Sequence, residues 1–457
     1  MRVRLIEPAP PGINVYTYAL YPRLGLPMIG AALEKQGHDV RIYNVQMAPV
    51  DWDDVYSADL VGISTITSTA PAAYAYADRL RERDVPVVIG GAHVTFLADE
   101  ALEHADFVAR GEGGDTLTVE LLQALRGERD LDTVGGLSFM QDGVAVHNPL
   151  RERCPDLDEL PVPDLSLIVG HERMGSTPVM TSWGCPFACT FCSVTSMFGR
   201  RYRYRSIENV IAELEEKRPA RVFFYDDNFA ARPARLKELL RAMIDHGLTM
   251  PWTAQVRTDV AGDEELLDLM RQSGCDRLCI GLESVNQETL EEYAKSQSVD
   301  DIIDALATLR RHGLKIHGMF VLGADSDDQH SVRDTVRFAV KHHIDSLMLN
   351  ILTPGPGTEQ YAEMEAQGRL FDKRWELYDG QHVVFQPQQM TPQELQLETL
   401  RGYLRFYSLR RWLLHLLLLR RAGLRLQTLG YLYVRKWRSD KKNRAFIDSL
   451  SRGRRLA

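Results

Sequence analysis

The stretch Ser182-Trp183-Gly184-Cys185-Pro186-Phe187-Ala188-Cys189-Thr190-Phe191-Cys192 decides the fold of this chain. It sets three cysteines in a C-x3-C-x2-C run directly after a short β-type stretch, Thr177 to Thr181. Ordinary electron-transfer clusters use a fourth protein ligand, and ordinary zinc sites take pairs of ligands from two places. Three thiolates on one tight loop therefore indicate a 4Fe-4S cluster whose fourth iron is open to a substrate or cofactor. The alternative, three inert buried thiols, is disfavoured by this spacing.

Length and composition are those of an ordinary globular protein. The chain has 457 residues, 44% hydrophobic and 26% charged, which predicts about three units and no wholesale disorder. Only six cysteines occur, three of them in the loop. The first residues run straight into a strand without the apolar region and cleavage site of a signal peptide. We therefore expect a protein of the reducing cytoplasm.

The net charge of −9 conceals a strong segregation along the chain. Residues 401–457 hold 16 Lys and Arg against two acidic residues, a balance of +14, so residues 1–400 carry 38 basic and 61 acidic residues, or −23. The apolar run Trp412 to Leu419 lies between Arg410-Arg411 and Arg420-Arg421 and is too short to span a bilayer. Three interpretations stay open: a helix packed on the preceding domain, an interfacial membrane helix, and a nucleic-acid arm. The last is disfavoured because −23 would repel phosphates.

The first 127 residues alternate short apolar runs with amphipathic stretches, which predicts a doubly wound parallel sheet. The predicted strands are Val3–Ile6, Val40–Asn44, Leu60–Ser64, Val85–Gly90 and Phe107–Ala109, and the clearest helices are Leu26–Lys35 and Pro71–Arg83. Ligands of such sheets bind at the carboxyl ends of the strands. No G-x-G-x-x-G follows the first strand, so a dinucleotide fold of the usual kind is disfavoured.

A second α/β region follows after residue 175. Leu137 to Val146 predicts a hairpin turning at Asp142-Gly143, and prolines in an acidic stretch predict a linker. Six further strands are predicted at Val179–Trp183, Arg221–Tyr225, Trp252–Val256, Arg277–Leu282, Lys315–Leu322 and Ser346–Leu352, separated by helices such as Ile207–Lys217 behind the N-cap Ser206. Six βα units are too few to close an eight-stranded barrel.

The cysteine spacing, with the aromatic Phe191 just before the last cysteine, resembles the signature of the radical S-adenosylmethionine (radical SAM) enzymes. That resemblance implies an open six-unit partial barrel, with Cys185, Cys189 and Cys192 as cluster ligands. It also implies that the amino and carboxylate groups of SAM chelate the open iron, next to Phe191.

The same resemblance, combined with the rule that βα-barrel sites lie at strand ends, selects the SAM-binding candidates. The stretch Asp226-Asp227-Asn228 matches the position where the family places groups that receive the methionine amine, and a carboxylate there suits an ammonium. Gln255 and Arg257 alternate with Val256, which puts both on one face, where an arginine can pair with the SAM carboxylate. Glu283-Ser284 matches the ribose-binding position, and Gly318 falls where the adenine approaches. The alternative for each carboxylate is a surface group or a barrel salt bridge.

The ordered glycine turns of the N-terminal region resemble the cobalamin-binding domain fused to many radical SAM enzymes. The contacts implied are those on the first helix and at the strand ends: Leu26, Ser64, Thr65, Gly90, Gly91, His93 and Glu112. The motif Asp-x-His-x-x-Gly, which supplies a histidine lower ligand, is absent: Asp328-Gln329-His330 comes nearest and has Arg333 in place of glycine. We therefore expect no histidine beneath cobalt. His93 alternatively satisfies its own turn.

These patterns predict a cobalamin-binding-like domain at 1–150, a linker at 151–174, a radical SAM core at 175–365 and a helical basic region at 366–457. Cys275 and Cys279 are interpreted as small buried hydrophobes rather than ligands of a second cluster. A tRNA methylthiotransferase is disfavoured because the first cysteine of the chain is Cys154, whereas that class needs three cluster cysteines in its N-terminal domain.

The predicted reaction uses a 4Fe-4S cluster, SAM and cobalamin. SAM is cleaved to a 5'-deoxyadenosyl radical, and an unactivated carbon or phosphorus centre of a small-molecule or lipid-like substrate is methylated. Resemblance to the anaerobic magnesium-protoporphyrin monomethyl ester cyclases keeps cyclisation or rearrangement open. A non-catalytic cobalamin or iron-sulfur module is the alternative of another class. The expected partners are an electron donor such as flavodoxin or ferredoxin and, through the basic region, the inner membrane face, with no nucleic acid.

Overall fold

The computed structural model describes residues 1–12, 20–419 and 421–452. Arg420 and residues 453–457, which belong to the predicted basic region, lie outside the described residues. The chain divides into two compact units: the first comprises most of residues 1–184 together with Ser193–Pro219, and the second comprises the loop Cys185–Cys192 and the chain from Ala220 onward. The domain boundaries at 150, 174 and 365 stay predictions.

The first unit contains the predicted parallel sheet with an antiparallel hairpin added to its edge. Its strands run in the spatial order β2-β1-β3-β4-β5-β6-β7. They are β1 (Arg2–Glu7), β2 (Asp39–Asn44), β3 (Leu60–Thr65), β4 (Val87–Gly91), β5 (Phe107–Ala109), β6 (Leu137–Gln141) and β7 (Val144–His147). The pairs from β1 to β5 are parallel, whereas β5–β6 and β6–β7 are antiparallel. The predicted mixed α/β class with a parallel-rich N-terminal sheet is confirmed.

Apolar residues on both strand faces explain why this sheet is covered by helices. In β3, Leu60, Val61 and Ile63 are all buried, as expected of a parallel strand packed on two sides. The helices are α1 (Gly25–Lys35), α2 (Trp52–Tyr56), α3 (Ala70–Arg81), α4 (Ala92–Phe96), α5 (Ala98–Leu102) and α6 (Gly114–Leu125). The predicted hairpin turn has positive φ angles at both Asp142 and Gly143, the backbone twist that a two-residue hairpin loop favours.

The strand predicted at Val179–Trp183 is instead two short strands, β8 (Thr177–Val179) and β9 (Ser182–Trp183). The break arises because β9 pairs antiparallel with β10 (Arg203–Tyr204), away from the direction of β8. Two helices accompany them, α7 (Ser193–Phe198) and α8 (Ile207–Lys217). The predicted N-cap of α8 is confirmed, since the Ser206 hydroxyl accepts the Asn209 N–H at 3.2 Å.

The second unit contains five parallel strands in the spatial order β15-β14-β13-β12-β11. They are β11 (Val222–Phe224), β12 (Trp252–Val256), β13 (Cys275–Glu283), β14 (Lys315–Leu322) and β15 (Ser346–Ile351). The helices between them are α9 (Pro233–Asp245), α10 (Glu264–Gln272), α11 (Gln287–Glu292), α12 (Val299–Arg311) and α13 (Ser331–Lys341). Each predicted strand of this region is present within two residues of its expected bounds. The alternation of strand and helix gives the βα units expected from the radical SAM resemblance.

The C-terminal helices fall into a packed part and an exposed part. They are α14 (Glu359–Ala366), α15 (Pro392–Phe406), α16 (Leu409–Leu417), α17 (Arg421–Ser439) and α18 (Lys441–Arg452). Val434, Trp437 and Phe446 are buried in this unit, whereas the leucines of α16 face solvent. None of the helices in the described ranges is both long and apolar enough to cross a membrane.

Two tyrosines connect α15 to strand β15. The Tyr403 hydroxyl accepts the Leu349 N–H at 2.8 Å and donates to the Leu349 carbonyl at 3.1 Å. The Tyr407 hydroxyl does the same with Leu347, at 3.0 and 2.8 Å. Each phenol thus satisfies one donor and one acceptor that a further strand would otherwise pair.

Candidate active site and cofactor-binding residues

The three cysteines lie on one loop of the second unit, between Cys185 and Cys192. All three have intermediate exposure, and the loop closes on itself through the Cys192 N–H, which donates to the Cys189 carbonyl at 3.1 Å. Among the described residues no three His, Cys, Asp or Glu side chains converge on a single metal ion. A 4Fe-4S cluster does not require such convergence, because each thiolate binds a different iron. The donor set therefore fits the predicted cluster.

A buried cation lies against the cluster loop. The Arg257 guanidinium stacks 3.7 Å from the ring centroid of Phe187, between the first two cysteines. Burial raises the pKa of the Cys185 thiol, and the neighbouring Cys189 and Asp227 raise it further, whereas Arg257 lowers it. A cluster held by three thiolates is anionic, so the positive charge of Arg257 would stabilise it electrostatically.

The far end of the loop is held by Tyr293. The Thr190 N–H donates to the Tyr293 carbonyl at 3.4 Å, and the Tyr293 ring meets Phe191 edge-on with centroids 5.0 Å apart. Phe191, directly before the last cysteine, is thus held in place by its contact with the Tyr293 ring. Tyr293 is fully buried, and burial raises the pKa of its phenol well above the usual value.

Glu283, the predicted ribose ligand, ends β13 in a left-handed conformation with φ of 60°. The register shifts between Gly281 and Glu283, a β-bulge of the kind that re-aims side chains at active sites. Its carboxylate lies 2.6 Å from the Lys295 ammonium, and both residues are buried. A Cβ added at Gly281 would sit 2.6 Å from the Glu283 carboxylate, so glycine keeps this space open. Ser284 turns away and accepts the Asn286 N–H ahead of α11.

The segment that carries Lys295 is backbone-strained and fastened on both sides. Ala294 and Ser296 have positive φ angles of 50° and 51°, which cost energy for residues with a Cβ. Arg257 donates to the Lys295 carbonyl at 2.5 Å. The Gln297 amide donates to the Leu282 carbonyl at 3.1 Å. Lys295 was not predicted as a site residue. It comes close to Glu283 because the backbone turns at Ala294 and Ser296, which the sequence does not reveal.

The polar residues after β11 are the next group of the predicted SAM site. Asp226 is fully buried and Asp227 is partly exposed. Asn228, which follows them in the predicted stretch, is buried, and its side-chain oxygen has no hydrogen-bond partner among the described residues. A buried acceptor of this kind beside two carboxylates suits an ammonium donor.

Gln255 lies in a polar layer across the sheet. The strand registers set Gln255 beside Cys279, Cys279 beside His317, and His317 beside Ser346. The Ser346 hydroxyl lies 2.8 Å from His317 Nδ1, and burial lowers the pKa of His317 to about 4. Burial also raises the pKa of Cys279 to about 11, which keeps this thiol protonated.

Gly318, on β14, is crowded by apolar side chains. A Cβ added there would lie 3.2 Å from side-chain carbons of Leu282, Phe320 and Ile344. Close packing therefore accounts for a glycine at this position, and its predicted approach to the adenine stays a prediction.

The predicted cobalamin contacts belong to the first unit, where several lie at the carboxyl edge of its sheet. A Cβ at Gly91, whose φ is 114°, would collide with the Thr65 carbonyl, so only glycine fits between β3 and β4. The Thr65 hydroxyl donates to the Gly90 carbonyl at 3.0 Å. Arg23, which was not predicted, donates to the Ser64 carbonyl at 3.2 Å and pairs with the buried Glu7 carboxylate at 3.1 Å. This edge is a backbone-lined surface fixed by one buried ion pair.

Three other predicted contacts are occupied by partners within the unit. Leu26 is buried in α1. The His93 imidazole is 1% exposed and lies 3.4 Å from Glu100, so it is held within its own turn region. Glu112 accepts two hydrogen bonds of 2.7 Å from Arg203, and both side chains are buried. The Glu112 carboxylate is therefore engaged by Arg203, and its predicted contact with cobalamin stays a prediction.

Two families match the chain, and together they cover both units. Residues 179–339 match the radical SAM superfamily, and residues 12–119 match the B12 binding domain. An uncharacterized methyltransferase of Pyrococcus horikoshii is 32% identical over 84% of this chain and 88% of its own length. The bacteriochlorophyllide d C-12(1)-methyltransferase of Chlorobaculum tepidum is 30% identical over 80% and 78%. The anaerobic magnesium-protoporphyrin IX monomethyl ester cyclase of Cereibacter sphaeroides is 29% identical over 76% and 60%.

A solved structure shares the fold. The radical SAM methyltransferase TsrM of Kitasatospora setae, determined with cobalamin and a [4Fe-4S] cluster bound, superposes with a TM-score of 0.66. The match covers 80% of this chain and 75% of TsrM at 20% identity, which supports the arrangement of elements and not the substrate.

Proposed function

The chain belongs to the cobalamin-dependent radical SAM family, and from this membership we propose that it methylates an unactivated carbon or phosphorus centre of a small-molecule or lipid-like substrate. The observation that carries the proposal is the buried ensemble around the three-cysteine loop: Arg257 on Phe187, Tyr293 on Phe191, and Lys295 on Glu283. Charged and polar groups of this kind next to the three cysteines support the proposal, because a sulfonium cofactor bound beside a cluster needs such partners.

The cofactors of this family are a 4Fe-4S cluster that reduces SAM to release a 5'-deoxyadenosyl radical and a cobalamin that carries the methyl group. The protein binds, orients and excludes water. Cys185, Cys189 and Cys192 would hold three irons. Glu283 would accept hydrogen bonds from the ribose hydroxyls of SAM, and the Lys295 ammonium, 2.6 Å away, holds that carboxylate in position.

The methionine end of SAM has two candidate partners in the structure. Asp227 and the unpaired Asn228 oxygen would receive its ammonium. Arg257 already donates to the Lys295 carbonyl, so we propose that it acts chiefly on the cluster loop. Gln255 and the neutral His317 lie farther along the same sheet and would meet the substrate.

The cobalamin would lie on the backbone edge formed by Ser64, Thr65, Gly90 and Gly91. His93 is held by Glu100, which supports the expectation that no histidine lies beneath cobalt. Electron paramagnetic resonance of the cob(II)alamin form tests this expectation. Nitrogen superhyperfine splitting from a protein histidine would contradict it.

Oxidative cyclisation is the second candidate, favoured by the cyclase relative. Methylation has more support, because the two relatives with the higher identities are both methyltransferases. The expected electron donor is a flavodoxin or ferredoxin. We place the enzyme in the cytoplasm, where its cluster thiolates stay reduced, with peripheral contact between residues 401–457 and the inner membrane face.

The proposal is tested with anaerobically reconstituted protein supplied with cobalamin, SAM carrying a deuterated methyl group and a low-potential reductant. We expect 5'-deoxyadenosine together with S-adenosylhomocysteine, because one SAM gives the radical and another gives the methyl group. A cyclase would form 5'-deoxyadenosine without transferring the label. Absence of SAM cleavage by cluster-loaded protein would return the chain to a non-catalytic binding module.

A further inference from the structure

The helices α16 and α17 present a row of leucines to solvent. The exposed residues are Leu409, Leu413, Leu414, Leu416, Leu417, Leu418, Leu419, Leu429 and Leu432. Leu417 is 80% exposed and Leu419 is 85% exposed, among the highest values for large apolar side chains in the described chain. Leu409, Leu413, Leu416 and Leu417 follow helical spacing, so they form one stripe. Contiguous apolar surface of this kind marks an interaction site.

The α16–α17 hairpin, residues 409–419 and 421–432, is nevertheless a built element. The Trp412 indole N–H donates to the Thr428 hydroxyl at 3.0 Å. Gly423 lies directly against the His415 ring, and Gly430 lies directly against the Tyr407 ring, so that a Cβ at either position would collide. The leucines are therefore exposed by a packed helix pair that turns its other side inward.

Basic residues lie on the same two helices as this leucine stripe. Between Glu398 and Asp440 the sequence has no acidic residue. Arg410, Arg425, Arg435 and Lys436 are exposed on the two helices. Arg411 differs from them, since its guanidinium stacks 3.9 Å from the Phe406 ring centroid and belongs to the inner side. The surface thus combines exposed leucines with positive charge.

We propose that the α16–α17 hairpin is a docking surface for an anionic lipid membrane, with α16 lying along the interface. In this orientation the leucines enter the boundary of the acyl chains, and the arginines and lysines contact anionic headgroups. A membrane of this kind therefore accommodates both the apolar and the basic part of the surface. Nine residues of α16 rise only about 14 Å, less than half of a bilayer core, so the helix lies on the membrane and does not cross it.

Other occupants match only one half of the surface. A second copy of this chain would cover the leucines but bring two positive surfaces together. A nucleic acid would neutralise the charge but leave the aliphatic stripe unused, because single strands are held by aromatic stacking. This docking extends beyond the reaction and does not depend on it. It gives the enzyme access to substrates dissolved in the bilayer.

The test uses the full-length protein with its cluster reconstituted, sedimented with vesicles of phosphatidylcholine alone or mixed with phosphatidylglycerol. We expect binding to the mixed vesicles at low salt and its loss at high salt. The double variant Leu413→Ser/Leu417→Ser should bind at least about tenfold more weakly, since two leucines no longer leave water. The variant Arg425→Gln/Lys436→Gln should bind roughly twentyfold more weakly to the anionic vesicles.

The matched control is Leu150→Ser, which removes a leucine that is 57% exposed in the first unit and should leave binding unchanged. Unaltered iron content and unfolding midpoints establish that each variant is folded. Equal binding of wild type and both double variants would overturn the proposal. So would a dimer, seen by sedimentation velocity, that Leu413→Ser/Leu417→Ser dissociates, or a tighter complex with RNA than with anionic vesicles.

Discussion

Two regions of the second unit break the usual partition of polar outside and apolar inside, in opposite directions. Around the cluster loop, charged groups are buried: Glu283, Lys295 and Arg257 are each less than a tenth exposed. On the α16–α17 hairpin, leucines are exposed. The buried charges each have a partner within the unit, as the cost of desolvation requires. The leucines have no cover in the described structure, and water alone provides no compensation. In the first region each of these charges is already compensated, as a binding site for a small cofactor requires. In the second region the exposed leucines would be compensated only by contact with another apolar surface.

Among the substitutions that test this comparison, those in the cluster loop should have the largest effect on activity. Cys189→Ala, like Cys185→Ala or Cys192→Ala, should abolish the cluster and all SAM cleavage, because three thiolates are the minimum that the loop supplies. Iron and sulfide content after anaerobic reconstitution measure this loss. Cys275→Ala is the control and should keep one cluster per chain. Iron near eight per chain, or a cluster that survives the loss of Cys189, would contradict the site.

The cluster cysteines could be predicted from sequence because all three lie within eight residues and their spacing alone carries the chemistry. Glu283 followed from its position at a strand end. Lys295 did not, because its approach to Glu283 depends on left-handed turns at Ala294 and Ser296 that no composition signal marks. Asn228 belonged to the predicted stretch after its strand, but its lack of a hydrogen-bond partner among the described residues depends on packing and could not be predicted.

The fold was predictable to the level of strands and their parallel order, since apolar runs and helical spacing repeat in both units. Contacts distant in sequence were not. Tyr403 and Tyr407 pair with backbone 54 and 60 residues earlier, and nothing in their own helix indicates that partner. Three interpretations of the basic region were open from the sequence: a packed helix, an interfacial membrane helix and, disfavoured, a nucleic-acid arm. Its buried Trp437 and exposed Leu417 show that packing and exposure divide it between them.

The next largest effect concerns the buried pair of Glu283 and Lys295. Lys295→Met should lower the free energy of unfolding by about 3–5 kcal/mol, because the Glu283 carboxylate is left buried without its cation. It should also weaken SAM binding, measured by equilibrium dialysis. The double variant Glu283→Gln/Lys295→Met should recover much of the stability but not the SAM affinity. The exposed Lys341→Met serves as control. A Lys295→Met protein as stable as wild type would show that the pair is not desolvated in solution.

A smaller effect is expected where α15 meets β15. Tyr403→Phe should lower the free energy of unfolding by about 1–3 kcal/mol, because the buried N–H and carbonyl of Leu349 both lose the hydroxyl that they share. Urea unfolding followed by tryptophan fluorescence measures the change. Tyr431→Phe, at a tyrosine that is 41% exposed, should change stability by less than about 0.5 kcal/mol. Equal stability of the Tyr403→Phe and Tyr431→Phe proteins would mean that water replaces the phenol at this edge.

One buried carboxylate tests the rule that charges in this unit are paired. Asp327 accepts the Gly323 and Ala324 N–H groups, and no ion pair to it occurs in the described residues. Burial raises its pKa to about 6, so the folded state holds its proton to higher pH than the unfolded state does. Stability should therefore fall as pH rises through the interval between its ordinary pKa and about 6, by about 3 kcal/mol, since each pKa unit corresponds to about 1.4 kcal/mol.

Asp327→Asn should remove that decline, which urea midpoints at several pH values measure. Asp328→Asn is the contrasting control. Burial opposes ionisation of Asp328 too, but the His330 and Ser331 N–H groups hold its pKa below the ordinary value. Its loss should remove stability that is present at neutral pH and disappears on acidification. An unchanged pH dependence in Asp327→Asn would place the acid-sensitive group elsewhere.

The smallest effect on the fold is expected where exposure is greatest. Leu413→Ser/Leu417→Ser should change the free energy of unfolding by no more than about 0.5 kcal/mol, because side chains already in water lose almost no burial when shortened. Cluster content and SAM cleavage should equal those of wild type. The matched variant Val434→Ser/Trp437→Ser, on the buried side of α17, should instead destabilise the unit by several kcal/mol, because two core side chains leave cavities. If the two double variants were equally destabilising, the leucine stripe would be buried by other parts of the protein in solution. Only the buried charges would then depart from the usual distribution of polar and apolar residues.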